Sequence, residues 1–309
     1  MMKIQTEQEK TFKNECVKLF YRQDFNLENS LLITHYTSPV GFMGIIESKK
    51  LWATRYDCLN DITERKDVQK IYNLVINDLI KKDSFYEKFK DIEINGSYNS
   101  LYYSELLGFH SKTIENPEVF IISFSKDEDS LSMWNYYTKN DKYNGYALTF
   151  EKSDYQYYNC NPSLYIKCSD LIYDDREKYN QLKSLFESIK SIYVDSEDCL
   201  RFARSLISNL LFQWGDSFKN SHFQHEEEHR IIIVQDKNER VYEVKTREKD
   251  GLIIPYIEFP LDDFLTLTSV TCAPLHNDEL ALQLTKEYLS KNESYKNVIV
   301  QSSEVPIRY

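Results

Sequence analysis

Residues 31–61 read LLITHYTSPVGFMGIIESKKLWATRYDCLND, a strand, a helix, a second strand and a turn in quick succession. Residues 31–37 are apolar and β-branched, the composition of a buried strand. Ser38 offers an N-cap, and Pro39 falls at the first helical position, where a fixed φ and a missing N–H do no harm. Phe42, Met43, Ile45 and Ile46 give the helix one apolar face. Residues 51–55 resume a strand, and Asn60-Asp61 turns the chain into the next helix. His35, Tyr36, Trp52, Arg55, Tyr56, Asn60 and Asp61 are more reactive or aromatic groups than a scaffold needs. Taken singly, His35 reads as a hydrogen-bonded core histidine and Tyr36 as filler. Taken together they mark a candidate site.

Outward from this stretch, residues 1–30 hold an N-terminal helix with Phe12, Cys16, Leu19 and Phe20 on its apolar side. A helical insertion occupies about residues 62–117. It opens with an amphipathic helix (Val68, Ile71, Leu74, Val75, Leu79) and becomes weakly periodic beyond residue 82. Residues 119–126 (VFIISFSK) are a strand. A short helix follows in which Trp134 and Tyr137, three apart, share a face, and Met133 and Trp134 should plug the sheet. Gly145 and Tyr146 open the strand YALTFE, residues 154–162 form a Tyr/Asn-rich loop, and residues 164–173 are a strand. A helical pair fills about 176–214, residues 229–235 (HRIIIVQ) are a buried strand, and 241–259 form a hairpin turning at Lys249-Asp250-Gly251. Residues 265–273 are a strand, 278–289 a helix and 298–302 the last strand. There is no strict βαβ rhythm, no repeat and no break in composition. The expectation is a single α+β domain over 1–309, with a central mixed, largely antiparallel sheet flanked by helices.

With 309 residues, 41% hydrophobic content and only seven Gly and seven Pro, the chain can bury a sizeable core and is not low-complexity. A net charge of −11 disfavours a general nucleic-acid binder, although a local basic groove is compatible with it. The start, MMKIQTEQEK, lacks the apolar core of a signal peptide, and no apolar run reaches membrane-spanning length. Six cysteines without CxxC spacing read as reduced thiols. A cytoplasmic protein with no membrane partner is expected. The 24 Tyr and 17 Phe supply stacking surfaces as well as core.

Residues 223–234, FQHEEEHRIIIV, support two incompatible readings. If residues 226–232 are extended, alternation puts Glu226, Glu228 and Arg230 on one face and His229, Ile231 and Ile233 on the other. A carboxylate on a rigid strand beside an arginine can hydrogen-bond a ribose hydroxyl and stabilise an oxocarbenium-like state. If residues 222–229 are helical, His222, His225 and His229 share a face and suggest a metal site for a hydrolase or nuclease, though at no established zinc spacing. A third account needs no site: Glu226 and Glu228 pair with Arg230 and nearby lysines at a solvated strand entry.

HYTS at 35–38, LND at 59–61, SFS at 123–125, MWxxY at 133–137, GYALTF at 145–150, E-x-E-H-R at 226–230 and S-x-x-P-x-R at 303–308 occur in this order. Together they resemble a widespread bacterial family known as a domain of unknown function, over nearly the whole chain. The tail VPIRY departs from the family's isoleucine-proline-tyrosine-arginine. More distantly, the layout resembles the ADP-ribosyltransferase superfamily. That resemblance implies NAD as substrate, no metal, and an acceptor that is protein or nucleic acid. It implies a toxin or anti-phage effector with an antitoxin or defence-system partner. By the same resemblance Glu228 and His35 are catalytic, Glu228 stabilising the reacting ribose and His35 fixing a ribose hydroxyl. Thr37 and Thr54 match the superfamily's positions as well, and Tyr36, Arg55, Asn60, Trp134, Tyr137, Glu226 and Arg230 complete the set expected to bind the cofactor. Tyr36, Tyr56, Trp134, Tyr136 and Tyr137 are all eligible to stack on nicotinamide. The alternative is a non-catalytic nucleotide-binding or sensor module using the same pocket.

Overall fold

A computed structural model describes residues 6–25, 31–59, 66–94, 98–104, 108–114, 116–138, 144–153, 163–249, 251–261, 264–276 and 279–306. In chain order the elements are α1 (Glu7–Phe25), β1 (Leu32–Thr37), α2 (Pro39–Ser48), β2 (Lys50–Arg55), α3 (Lys66–Lys82), β3 (Tyr98–Ser104) and β4 (Gly108–Ile114). Then come β5 (Pro117–Ser125), α4 (Leu131–Thr138), β6 (Tyr146–Lys152), β7 (Leu164–Asp170), α5 (Asp175–Ile192) and α6 (Glu197–Trp214). The chain closes with β8 (Glu228–Asp236), β9 (Lys245–Lys249), β10 (Leu252–Pro260), β11 (Leu265–Cys272), α7 (Glu279–Ser290) and β12 (Ile299–Ser302).

Among the described residues, ten strands form one open sheet with the path β12-β11-β6-β1-β5-β2-β10-β9; β8 joins β5 and β7 joins β8. Every pairing is antiparallel except β11 with β12, so the sheet is mixed and largely antiparallel as expected. The sheet forks at β5. One edge of β5 pairs with β8 from Pro117 to Ser125. Its other edge is shared, Phe120 and Ile121 pairing with β2 and Ser125 with β1. Between those contacts the backbone of Ile122–Phe124 faces no strand on that side among the described residues.

One face of the sheet carries the main core: Ile33, Phe120, Ile122, Phe124, Leu148, Phe150, Ile231 and Ile233 pack beneath α2 and α7. Helix α2 forms where the sequence requires it. The Ser38 hydroxyl accepts a hydrogen bond from the Gly41 amide at 3.2 Å, Pro39 sits at the first turn, and Phe42, Ile45 and Ile46 are buried at helical spacing. The opposite face is covered by Phe212 of α6 over Val119, Ile121, Ile232 and Val234, and by Met133 and Trp134 of α4 over Tyr36 and Ala147. Behind α6, helices α1, α3 and α5 enclose a separate core around Phe12, Tyr72, Phe89 and Phe186.

Two expectations are corrected. Residues 62–117 are not a helical insertion: after α3 and the 3-10 helix Ser84–Phe89, the chain forms the β3–β4 hairpin, a two-stranded sheet of its own. Tyr and Ser fit a strand as well as a loop, and without an apolar stripe no helical period shows. Second, residues 222–229 are neither one helix nor one strand. A 3-10 helix, Ser221–Glu226, ends at Glu227 in the left-handed region (φ 42°), and the strand starts at Glu228. Asn60, Asp61 and the expected 154–162 loop lie outside the described residues. No helix among the described residues is long and apolar enough to cross a membrane.

Candidate functional site

Strand register fixes which predicted residues can meet. Residues paired across antiparallel strands point to the same face. Thr34 pairs with Ser125, and Ser125 with Glu228, so these three share one face. His35 is one residue on from Thr34 and points the other way, its ring edge-on to Phe124 at 5.7 Å on the main-core face. His35 and Glu228 therefore lie on opposite faces of the sheet, and the expected convergence of the two does not occur. The ring of His35 instead sits at the fork. Its Nδ1–H donates to the Ser123 carbonyl at 3.1 Å, satisfying a β5 backbone group that neither β1 nor β2 reaches. Burial lowers its pKa below the ordinary imidazole value, and the Arg247 charge lowers it further.

On its own face Glu228 belongs to a closed network. Its Oε1 accepts from Arg230 Nε at 2.7 Å; its Oε2 accepts from Lys219 Nζ at 2.7 Å and Arg230 Nη2 at 3.1 Å. Lys219 also donates to Glu226 at 2.6 Å, and Arg230 Nη1 donates to the Asp216 carbonyl at 3.2 Å. Tyr173 accepts the Glu228 backbone amide at 2.9 Å. Arg230 and Glu228 are only 1% and 3% exposed. Burial by itself would raise the Glu228 carboxyl, but the charges of Arg230 and Lys219 outweigh it and hold the group down at about 2. The phenol of half-exposed Tyr137 is pushed up by burial and then by the charges of Glu228 and Glu226. An ion-paired carboxylate with both oxygens occupied is a poor acid or base and has little left to offer a ribose.

Tyr36 and Trp134 are bound up in packing around Asp129. Their rings meet edge-on at 4.8 Å, and the Tyr36 hydroxyl donates to the Asp127 carbonyl and accepts the Ser130 amide. The Asp129 carboxylate accepts Trp134 Nε1, the Ser303 hydroxyl and the Glu304 amide at 2.6–2.8 Å. That knot joins the sequence stretches around residues 36, 134 and 303. Met133 and Trp134 plug the sheet as expected. Thr37 lies against Gly41, where a Cβ would stand 2.1 Å from the Thr37 hydroxyl. Gly145 is demanded likewise, since a Cβ there would meet the Thr37 carbonyl at 2.6 Å. Arg55 is tied to Asp57 by hydrogen bonds at 2.6 and 3.0 Å.

The three histidines of the metal reading do not gather. His225 stacks on Tyr136 at 5.5 Å, while His229 points to the main-core face, its Nδ1–H donating to Asp170 at 2.5 Å. Among the described residues no group of three or more His, Cys, Asp and Glu could hold a metal ion.

Thr54 leads to a different surface. It pairs with Ile121 and Tyr256, and the outward face of β2, β10 and β9 carries Trp52, Thr54, Tyr256 and Arg247. Arg247 Nη2 donates to the Thr54 hydroxyl at 2.9 Å, and its guanidinium lies 5.0 Å from the Trp52 ring centre and 5.7 Å from that of Tyr256. Its Nε is buried without a hydrogen-bond partner, and among the described residues it makes no ion pair. Burial lowers its pKa. The ring of Trp52 remains 46% exposed. Sequence reading placed Thr54 and noted Trp52 but missed Arg247, Lys219 and Tyr173. The only available signal for Arg247 was alternation, which in KTREK puts Lys245, Arg247 and Lys249 on one side.

Residues 133–231 match a family model described as "Protein of unknown function (DUF2971)". The matched segment spans α4 to the middle of β8 and so contains Trp134, Tyr137, Lys219, Glu226, Glu228 and Arg230. No curated protein and no solved structure matches the chain, and nothing in these comparisons links it to ADP-ribosyltransferases.

Proposed function

We propose that this chain is a non-catalytic nucleotide-binding module whose ligand lies on the outward face of β2, β10 and β9. The observation that supports it is Arg247, a partly buried guanidinium with an unpartnered Nε and no ion pair among the described residues, set against a half-open indole. A buried charge without a counter-charge is costly, and an anionic ligand removes that cost. The exposed ring of Trp52 offers a stacking surface to a base, and Thr54 holds the guanidinium in place. NAD is one dinucleotide among the ligands to be tried. Against the transferase reading stand the opposite orientations of His35 and Glu228 and the saturation of the Glu228 carboxylate.

The test is a titration with AMP, ATP and NAD, followed by tryptophan fluorescence and calorimetry. Trp134 and Trp214 are buried, so quenching reports chiefly on Trp52. Arg247→Ala should weaken binding at least about tenfold, the loss expected for a charge-assisted contact. Nicotinamide release should stay at the level of buffer. Failure of all three ligands to bind, or binding indifferent to Arg247→Ala, would sink the proposal. Nicotinamide release abolished by Glu228→Gln would restore the transferase.

A further inference from the structure

We infer, building on the nucleotide-binding reading, that the natural ligand is a single-stranded nucleic acid laid along β9. Strand β9 ends the path of the sheet, and no further strand among the described residues pairs with its outer edge. Alternation puts Lys245, Arg247 and Lys249 on one face, each partly exposed, and turns Thr246 and Glu248 away. Same-face residues are two rises apart, about 6.7 Å, so the three side chains leave β9 in a row, Lys245 reaching over to Glu258 and Arg247 to Thr54 on the neighbouring strands. On the neighbouring strands the same face holds Lys50, Trp52, Thr54, Tyr256 and Glu258.

The charges on this face do not cancel. Lys50 and Lys245 share Glu258, at 3.0 and 2.9 Å. Arg247 and Lys249 have no ion pair among the described residues. Glu243 also acts on Lys245, so Lys50, Lys245, Arg247 and Lys249 face the two carboxylates of Glu258 and Glu243, in a chain of net charge −11. Basic side chains tracking a backbone, next to an exposed aromatic ring, are what proteins use to hold unpaired bases without reading sequence. A lone mononucleotide on Arg247 would leave Lys249 unused. A duplex has its bases stacked on one another and none to give to Trp52.

The experiment compares UMP with fluorescein-labelled 4-mers and 12-mers of U and of dT, and with a 12-base-pair duplex, by fluorescence anisotropy. The 12-mers should bind at least tenfold more tightly than UMP and the duplex. Trp52→Ala, Arg247→Ala and Lys249→Glu should each weaken the 12-mer at least fivefold. Affinity should fall with salt at a log–log slope of about −1.4 to −2.1, for two to three phosphates neutralised. Lys249→Glu lies at the end of an edge strand and tests the row without threatening the fold. RNA and DNA 12-mers both count as support, and their difference identifies the source of the strand. Binding by mononucleotides without gain from length overturns the inference and leaves the nucleotide-binding reading standing. Absence of binding by any of them overturns this inference alone if AMP, ATP or NAD still binds, and both readings if those three fail as well. Tight 12-mer binding that ignores all three substitutions, or a duplex that binds as well, also overturns it.

Discussion

Two clusters of charge sit on the same side of this sheet and have been solved in opposite ways. Around Glu228, two carboxylates meet an arginine and a lysine in a nearly dry setting, and every oxygen of Glu228 is occupied. On the β2–β10–β9 wing, Arg247 has a hydroxyl and two rings for company and no carboxylate among the described residues. The first arrangement is complete without a ligand. The second is not, and its incompleteness coincides with an exposed tryptophan. Density of reactive side chains is therefore a worse guide to a binding site than unbalanced charge, because buried polar groups must be satisfied simply for a protein to fold.

That contrast can be broken by substitution. Arg230→Ala leaves Glu228 buried beside a single lysine, and a loss of about 3–5 kcal/mol is expected, measured by urea unfolding. A loss under about 1 kcal/mol would mean that the network is not structural. Trp134→Ala should cost a similar 3–5 kcal/mol, since it empties a fully buried site and strips the Asp129 knot of a donor. A cost near zero there would show that α4 repacks.

Acid sharpens the comparison in two stages. The folded pKa values of His35 and His229 lie below 6.5, so their contribution to stability is present above pH 6.5 and lost as pH falls below it. Glu228, held at about 2 against an ordinary 4.5, contributes about 3 kcal/mol that is present above pH 4.5 and lost between pH 4.5 and 2. Unfolding free energy measured from pH 8 to 3 should fall in both windows, and Glu228→Gln should flatten the lower one. The smallest effect belongs to the wing. Arg247→Ala should change stability by less than about 1 kcal/mol in either direction, because it removes an unpaired charge together with a modest packing contact. A loss of several kcal/mol would make Arg247 part of the scaffold and undercut the binding proposal.

Much of the scaffold was legible in the chain itself. The Ser38-Pro39 start, the Phe42/Ile45/Ile46 stripe, the VFIISFSK and HRIIIVQ strands and the 176–214 helical pair follow from local chemistry with fixed periods, and the structure repeats them. Alternation also put Glu228 and Arg230 together, and MWxxY next to a strand implied a buried Trp134. Tertiary structure alone decided the rest. The facing of His35 against Glu228 depends on the Thr34–Ser125–Glu228 register, and a register is a relation between strands far apart in sequence. The fork that leaves the Ser123 carbonyl for His35 exists only because β1 and β2 divide one edge of β5. Lys219 reaches Glu228 through a 3-10 turn that no period announces. Arg247 was one basic residue in a polar pentapeptide until the hairpin set it against Trp52, which lies nearly two hundred residues earlier in the chain. Periodicity records what a segment needs from its neighbours in general, whereas charge balance at a point in space depends on which neighbours arrive.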